Sequence, residues 1–238
     1  MVRKDLSIIK DYVGKYILPD SPDLVFLTGS RALGNHKNNS DVDLCVIGNY
    51  SKSHLRQPIL DFIHITKYPK TYRGYTFEIE YETYSNLDVV LSQVLKSKLW
   101  KFQNARLIYG TKTNFKKLNL KLNKFDSMRA KVWLLYNSKD LIKKAKSDLE
   151  IKLSIAKSSE SLLKLVFLIN EKPIPSDKWL LKEYSKLSWK PRGLLLNISR
   201  SFDEQNSSHI LSSYEVIFNY VKSKKLIPKE DSDHIELV

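Results

Sequence analysis

The chain has 238 residues, of which 42% are hydrophobic, with only seven Gly and eight Pro. That composition excludes wholesale disorder and a collagen-like or low-complexity chain, and it allows one large or two small domains with a real core. Lys and Arg outnumber Asp and Glu by 40 to 26, a net charge of +14. Such a charge suits a polyanion such as nucleic acid; but 32 of the 40 cations are Lys and each half of the chain carries +7, the signature of composition bias rather than of a basic arm. No apolar run approaches the ~18 residues of a spanning helix, so no membrane segment is expected. The N-terminal MVRKDLSIIKDYVGKY interrupts its apolar residues with charges and does not read as a secretory signal. Cys45 is the one cysteine and cannot form an internal disulfide, so a reducing cytoplasm is the natural reading.

In chain order, Leu6 to Ile17 has the apolar spacing of an amphipathic helix, and LPDSPD breaks it. Leu24–Thr28 is a short apolar run ending at Gly29, which suits a buried strand. Ser40–Ile47 is a second β-like run, closed by Gly48 and Asn49. Ser53–Ile65 could be a helix. Tyr75–Tyr84 alternates as a third strand, with Phe77, Ile79 and Tyr81 on one face and Glu78, Glu80 and Glu82 on the other. Leu87–Trp100 reads as a helix, Ala105–Tyr109 as an edge strand or helix tail, and the Lys- and Asn-rich Thr111–Lys124 as a linker. Beyond it the period turns helical: Met128 to Ala145, Leu149 to Asn170, Lys178 to Leu187, Leu194 to Phe202 and Ser213 to Lys224. The C-terminal PKEDSDHIELV is polar and reads as a loose tail. The expectation is an α/β (α+β) core with a small mixed sheet over residues 1–115, followed by an all-α helical bundle over 125–238.

The chemistry concentrates in Leu27–Gly48, LTGSRALGNHKNNSDVDLCVIG. A strand runs into Gly29 and Ser30, and a second strand follows with Asp41 and Asp43. Residues two apart on a strand share a side, with Cα atoms about 6.5–7 Å apart. Two carboxylates so close repel unless a cation sits between them. Mg²⁺ is the natural hard cation, because it bridges protein carboxylates to substrate phosphates. Gly29 lets backbone N–H groups approach an anion, and Ser30 adds a hydroxyl. Together these are the parts of metal-assisted phosphoryl or nucleotidyl transfer.

GS-RALG followed by SDVDL resembles the signature of the DNA polymerase β-like nucleotidyltransferase superfamily, nearest its small prokaryotic members related to aminoglycoside nucleotidyltransferases. Gly34, Ser40 and the apolar Leu44, Val46 and Ile47 fall where that pattern wants them. The resemblance implies that Gly29 and Ser30, with Ser40 beside them, hold the triphosphate of an NTP, with ATP the expected donor. It implies that Asp41 and Asp43 bind catalytic Mg²⁺, two ions in the active complex. It also implies a third carboxylate on a neighbouring strand: Glu78 is the better match, because it follows the apolar Phe77 early in the strand, and Glu80 is the runner-up. That carboxylate acts as general base in some relatives and as metal ligand in others; both roles stay open here. A second, shorter resemblance covers FLINEKPIPSDKWLLKEYSKL, residues 167–187, similar to a helix–loop–helix in the C-terminal bundle of several small nucleotidyltransferases. It matches Asn170, Pro175, Lys178 and Trp179, and implies that Lys178 neutralises phosphate charge; equally, Trp179 packs in a core, Lys178 is solvated and Pro175 starts a helix.

Other residues carry plainer readings. The five histidines lack metal-ligand spacing. Cys45 has no His or second Cys beside it and reads as a small core residue. Arg31 either reaches a phosphate or lies on the surface. Lys67–Arg73 mixes aromatic and basic residues as a nucleic-acid path does, and as exposed loops more often do. The expected reaction is Mg²⁺-dependent transfer of a nucleoside monophosphate from an NTP to an acceptor hydroxyl. A small molecule such as an antibiotic, an RNA end such as tRNA, and a protein hydroxyl are all open as acceptors. The other reading is a non-catalytic nucleotide-binding regulatory module.

Overall fold

The computed structural model describes residues 3–48, 69–84, 98–122, 127–144 and 147–237. The expected helix at Ser53–Ile65 and most of the one at Leu87–Trp100 lie outside the described residues. The chain divides into two compact units: Met1–Gln93 with Lys98–Phe125, and Val94–Ser97 with Asp126–Val238.

The first unit is a mixed five-stranded sheet clad by helices. Its strands are β1 (Leu24–Thr28), β2 (Val42–Ile47), β3 (Thr71–Tyr72), β4 (Tyr75–Glu82) and β5 (Arg106–Tyr109), in the order β3-β4-β2-β1-β5. β2 and β4 run parallel; β1 pairs antiparallel with β2 and with β5, and β3 with β4. Alternation of side chains explains the two cores. Val25, Leu27, Val42, Leu44, Val46, Phe77 and Ile79 face one side, where Ile9 and Tyr12 of α1 (Arg3–Tyr12) and Val13 and Ile17 of its π-helical extension cover them. Tyr12 stacks on Phe77 with ring centroids 3.7 Å apart. The other side buries Leu24, Phe26, Cys45 and Ile47 against Leu99 and Phe102 of α3 (Lys98–Gln103) and Leu118 of α4 (Lys112–Leu122). Cys45 is therefore a core residue. All five residues of β1 are buried, because the sheet is covered on both faces there.

One expectation fails in this unit. Thr111–Lys124 is not the expected linker: within it Lys112–Leu122 is a helix whose Phe115 packs on Phe26 and whose Leu118 is buried. The basic and aromatic stretch that ends at Arg73 is, from Thr71, half of a hairpin. Tyr72 pairs with Tyr75 around Arg73 and Gly74, both at positive φ, as a two-residue hairpin turn requires.

The second unit is helical. α5 (Met128–Lys144) packs against α6 (Asp148–Ile169), which starts at a capping box between Ser147 and Glu150. α7 (Asp177–Tyr184), α8 (Leu194–Asp203) and α9 (Ser208–Ser223) complete its body, with Ile155, Leu162, Val166, Ile210, Ile217 and Val221 fully buried. The C-terminal PKEDSDHIELV is not a loose tail. Lys229–Leu237 forms α10, which buries Ser232 and Ile235, while Lys139 Nζ donates to the carbonyls of Ile235 (2.5 Å) and Glu236 (3.0 Å). Asn170, at the end of α6, is a staple. It donates to the carbonyls of Val166 (2.7 Å) and Trp189 (2.9 Å), and accepts from Ser188 Oγ (2.8 Å) and the Trp189 N–H (2.9 Å). Among the described residues no helix is long and apolar enough to cross a membrane.

Candidate active site

The site is built where β1 ends. Thr28, its last residue, is the register partner of Asp43 on β2. Gly29 then turns at φ +65° into the short helix α2 (Gly29–Leu33), which Gly34 closes. A Cβ on Gly29 would lie 1.9 Å from Asp43 Oδ2 and 2.7 Å from its Cγ. The Asp43 carboxylate thus occupies the space that any other residue at position 29 would fill. Glycine is required there twice, by the backbone angle and by the carboxylate.

Asp41 stands one residue before β2 and is exposed, whereas Val42 between the two aspartates is buried in the sheet. The parallel register sets Glu78 beside Asp43, Glu80 beside Cys45 and Glu82 beside Ile47. Neighbouring strands lie about 4.8 Å apart, so Glu78 is the glutamate of β4 nearest in register to Asp43. The three glutamates that share a face meet three different environments. Glu78 is exposed, Glu80 is ion-paired with Lys101 of α3, and Glu82 is buried. This separation relieves the repulsion that three stacked carboxylates would otherwise suffer. For Lys101, burial pulls the ammonium pKa down; the charge of Glu80, the hydrogen bond to it and the nearby Cys45 and Asp43 together outweigh that, so the ammonium titrates above its ordinary value. A cavity of about 280 Å³ opens here, lined by Asp43, Glu78, Glu80, Lys70 and Lys101 among others.

The remaining expected residues fall as follows. Ser30 is half-buried in the first turn of α2, and its carbonyl accepts from the Asn35 N–H at 3.0 Å. Ser40 serves the loop: its Oγ accepts from the Lys37 N–H at 2.9 Å and its carbonyl from Arg31 at 2.7 Å. Arg31 neither reaches outward nor lies on the surface. It is 2% exposed and turns inward to the loop carbonyls and Asp5. Lys178 belongs to the helical unit, exposed in the first turn of α7. Lys70 and Lys101 escaped the sequence reading, because no spacing rule connects a lysine on α3 with a glutamate 21 residues earlier.

Among the described residues no three His, Cys, Asp or Glu side chains cluster tightly enough to hold a metal ion by themselves. The donor set is nonetheless all carboxylate oxygen, and it adjoins the glycine that keeps side chains away from Asp43. That set fits a hard cation completed by substrate phosphates and water, which is how Mg²⁺ usually binds.

Residues 6–174 match the family model of the nucleotidyltransferase domain. The chain belongs to that family, within the polymerase β-like superfamily, and is a nucleotidyltransferase. No curated protein matches it. Among solved structures it is similar to the crystal structure of a nucleotidyltransferase-like protein from Exiguobacterium sibiricum 255-15, at 12% identity and a TM-score of 0.43, over 90% of this chain and 80% of that one.

Proposed function

We propose that this chain transfers a nucleoside monophosphate from an NTP, with ATP as donor, to the hydroxyl of a small-molecule acceptor. The observation that carries the reading is Asp43 wedged between Gly29 and the register position of Glu78. One face of the sheet thereby joins the glycine turn at the end of β1 to a pair of carboxylates.

Asp41 and Asp43 would hold Mg²⁺, which when bound neutralises phosphate charge and orients in-line attack. Gly29 brings the backbone of the turn against the Asp43 carboxylate, and Ser30 offers its hydroxyl beside it to a phosphate oxygen. Glu78 takes the proton of the acceptor hydroxyl. The acceptor oxygen forms its bond to the α-phosphorus as the bond from that phosphorus to the bridging oxygen breaks, and pyrophosphate leaves. Glu80 is less suited to the base role, since its carboxylate is already ion-paired with Lys101. The cavity beside these carboxylates, about 280 Å³, approaches the size of small-molecule sites, and a small acceptor is the occupant proposed for it.

The test is incubation of the protein with cell extract, Mg²⁺ and ATP labelled in the α-phosphate and base. Label appearing in the small-molecule fraction supports the reading. Label in RNA or protein overturns the acceptor class, and no labelled product with any of the four NTPs overturns the activity.

A further inference from the structure

The loop from Gly34 to Asp41 carries the first aspartate of the site, and Arg31 holds it from within. Arg31 Nε is shared between the carbonyls of Ser40 (3.1 Å) and Asp41 (3.2 Å). Its Nη2 donates to Ser40 again (2.7 Å) and to Asn38 (3.4 Å). Its Nη1 faces Asp5 Oδ2 of α1 at 3.5 Å, and the Tyr75 ring lies 4.9 Å from the guanidinium carbon. Asp5 is itself 9% exposed, and its Oδ1 accepts from the Tyr75 hydroxyl at 2.8 Å. His36 Nε2, from the same loop, lies 3.5 Å from Asp5 Oδ2. Thus α1, α2, the loop and β4 converge on one buried ion pair.

We infer that Arg31 and Asp5 are positioning residues that fix Asp41 for metal–nucleotide binding. The inference rests on the proposed role of Asp41. Asp41 is exposed, so packing does little to hold it; the grip on its own carbonyl, and on that of Ser40 before it, sets where its Cα stands. Only a planar guanidinium meets three carbonyls and a carboxylate together, and a lysine ammonium in its place lacks that fork. Asp5 balances the buried charge and, with Tyr75, fixes the plane of the guanidinium. The residue after Gly29-Ser30 thereby ties the phosphate-facing turn to the aspartate loop, so the two halves of the site move as one body.

The test uses Asp5→Asn, Arg31→Lys and the milder Tyr75→Phe, each checked for native circular dichroism. Binding of Mn²⁺ is read by paramagnetic resonance with a non-hydrolysable ATP analogue present, alongside kcat and KM for nucleotide. Asp5→Asn and Arg31→Lys are expected to weaken Mn²⁺ binding by about 10–100-fold, as losing an outer-shell partner does elsewhere, with a smaller effect from Tyr75→Phe. Combining Asp5→Asn with Asp41→Asn should add little to Asp41→Asn alone, because the strut acts through Asp41. Folded Asp5→Asn and Tyr75→Phe proteins that bind Mn²⁺ like wild type, or full additivity with Asp41→Asn, would overturn the strut. If instead the wild type binds no Mn²⁺, or Asp41→Asn binds as wild type does, the proposed function itself fails.

Discussion

Asp43 Oδ2 sits where the Cβ of any residue but glycine at position 29 would be, 1.9 Å from that point. The end of β1 and the start of β2 are thus shaped to one another. Gly29→Ala forces a choice between moving the carboxylate and moving the turn, at a position whose φ of +65° already disfavours alanine. The expected outcome is a stability loss of about 1–2 kcal/mol in chemical denaturation. Turnover should fall by about 10²-fold or more, because a misplacement of about 1 Å costs that much. A stable and fully active Gly29→Ala would show that Asp43 is free to relocate.

Glu78 and Glu80 separate by their neighbours. Glu78→Gln should lower kcat by about 10²–10⁴-fold, the range for a lost general base, with little change in stability. Glu80→Gln should do the reverse. It leaves Lys101 without its carboxylate partner, at about 1–2 kcal/mol, less than the 3–5 kcal/mol of a fully buried pair because Lys101 keeps some solvent. Paired kinetics and denaturation on the two variants decide between them.

Lys101 sets a pH dependence. Its folded pKa lies above the ordinary 10.5, so the Glu80 pair contributes fully below that value and is lost as pH rises through the raised one. The stability difference between wild type and Lys101→Met should therefore stay constant near neutrality and shrink above about pH 10.5. A difference that grows with alkaline pH would contradict the assignment.

The alternating Tyr75–Glu82 and the apolar run Leu24–Leu27 were legible in the sequence, because burial on one face or on both leaves a direct trace in residue type. The second unit's helices were legible for the same reason. Lys112–Leu122 was not, since Phe115 and Leu118 anchor it among Lys and Asn residues that match a linker equally well. The last helix hides likewise, with Ile235 the one buried hydrophobic residue among its described side chains. At the site, the Gly29-Ser30 and Asp41-x-Asp43 pattern could be read because its chemistry lies in local spacing. The inward turn of Arg31 could not, because it depends on Asp5, and the Lys101–Glu80 pair depends on how α3 lies over the sheet. Register between β2 and β4 is also a tertiary fact, and it sets Glu78 beside Asp43, which the sequence pattern alone does not state.

Of the four hydrogen bonds of the Asn170 side chain, three join the end of α6 to Ser188 and Trp189 and the fourth returns to Val166 in α6 itself. Asn170→Ala should cost about 2–3 kcal/mol, at roughly 0.5–1.5 kcal/mol per net hydrogen bond lost. KM for nucleotide should not change. A raised KM in a folded Asn170→Ala protein would mean that the residue contacts substrate.

The most direct measurement of the central claim is pyrophosphate release from ATP in an extract that supplies acceptor, comparing wild type with Asp41→Asn, Asp43→Asn and the double variant, with and without Mg²⁺. The account predicts release that requires Mg²⁺ and falls to background in all three variants while their folding is retained. Release that persists undiminished in the double variant would contradict it.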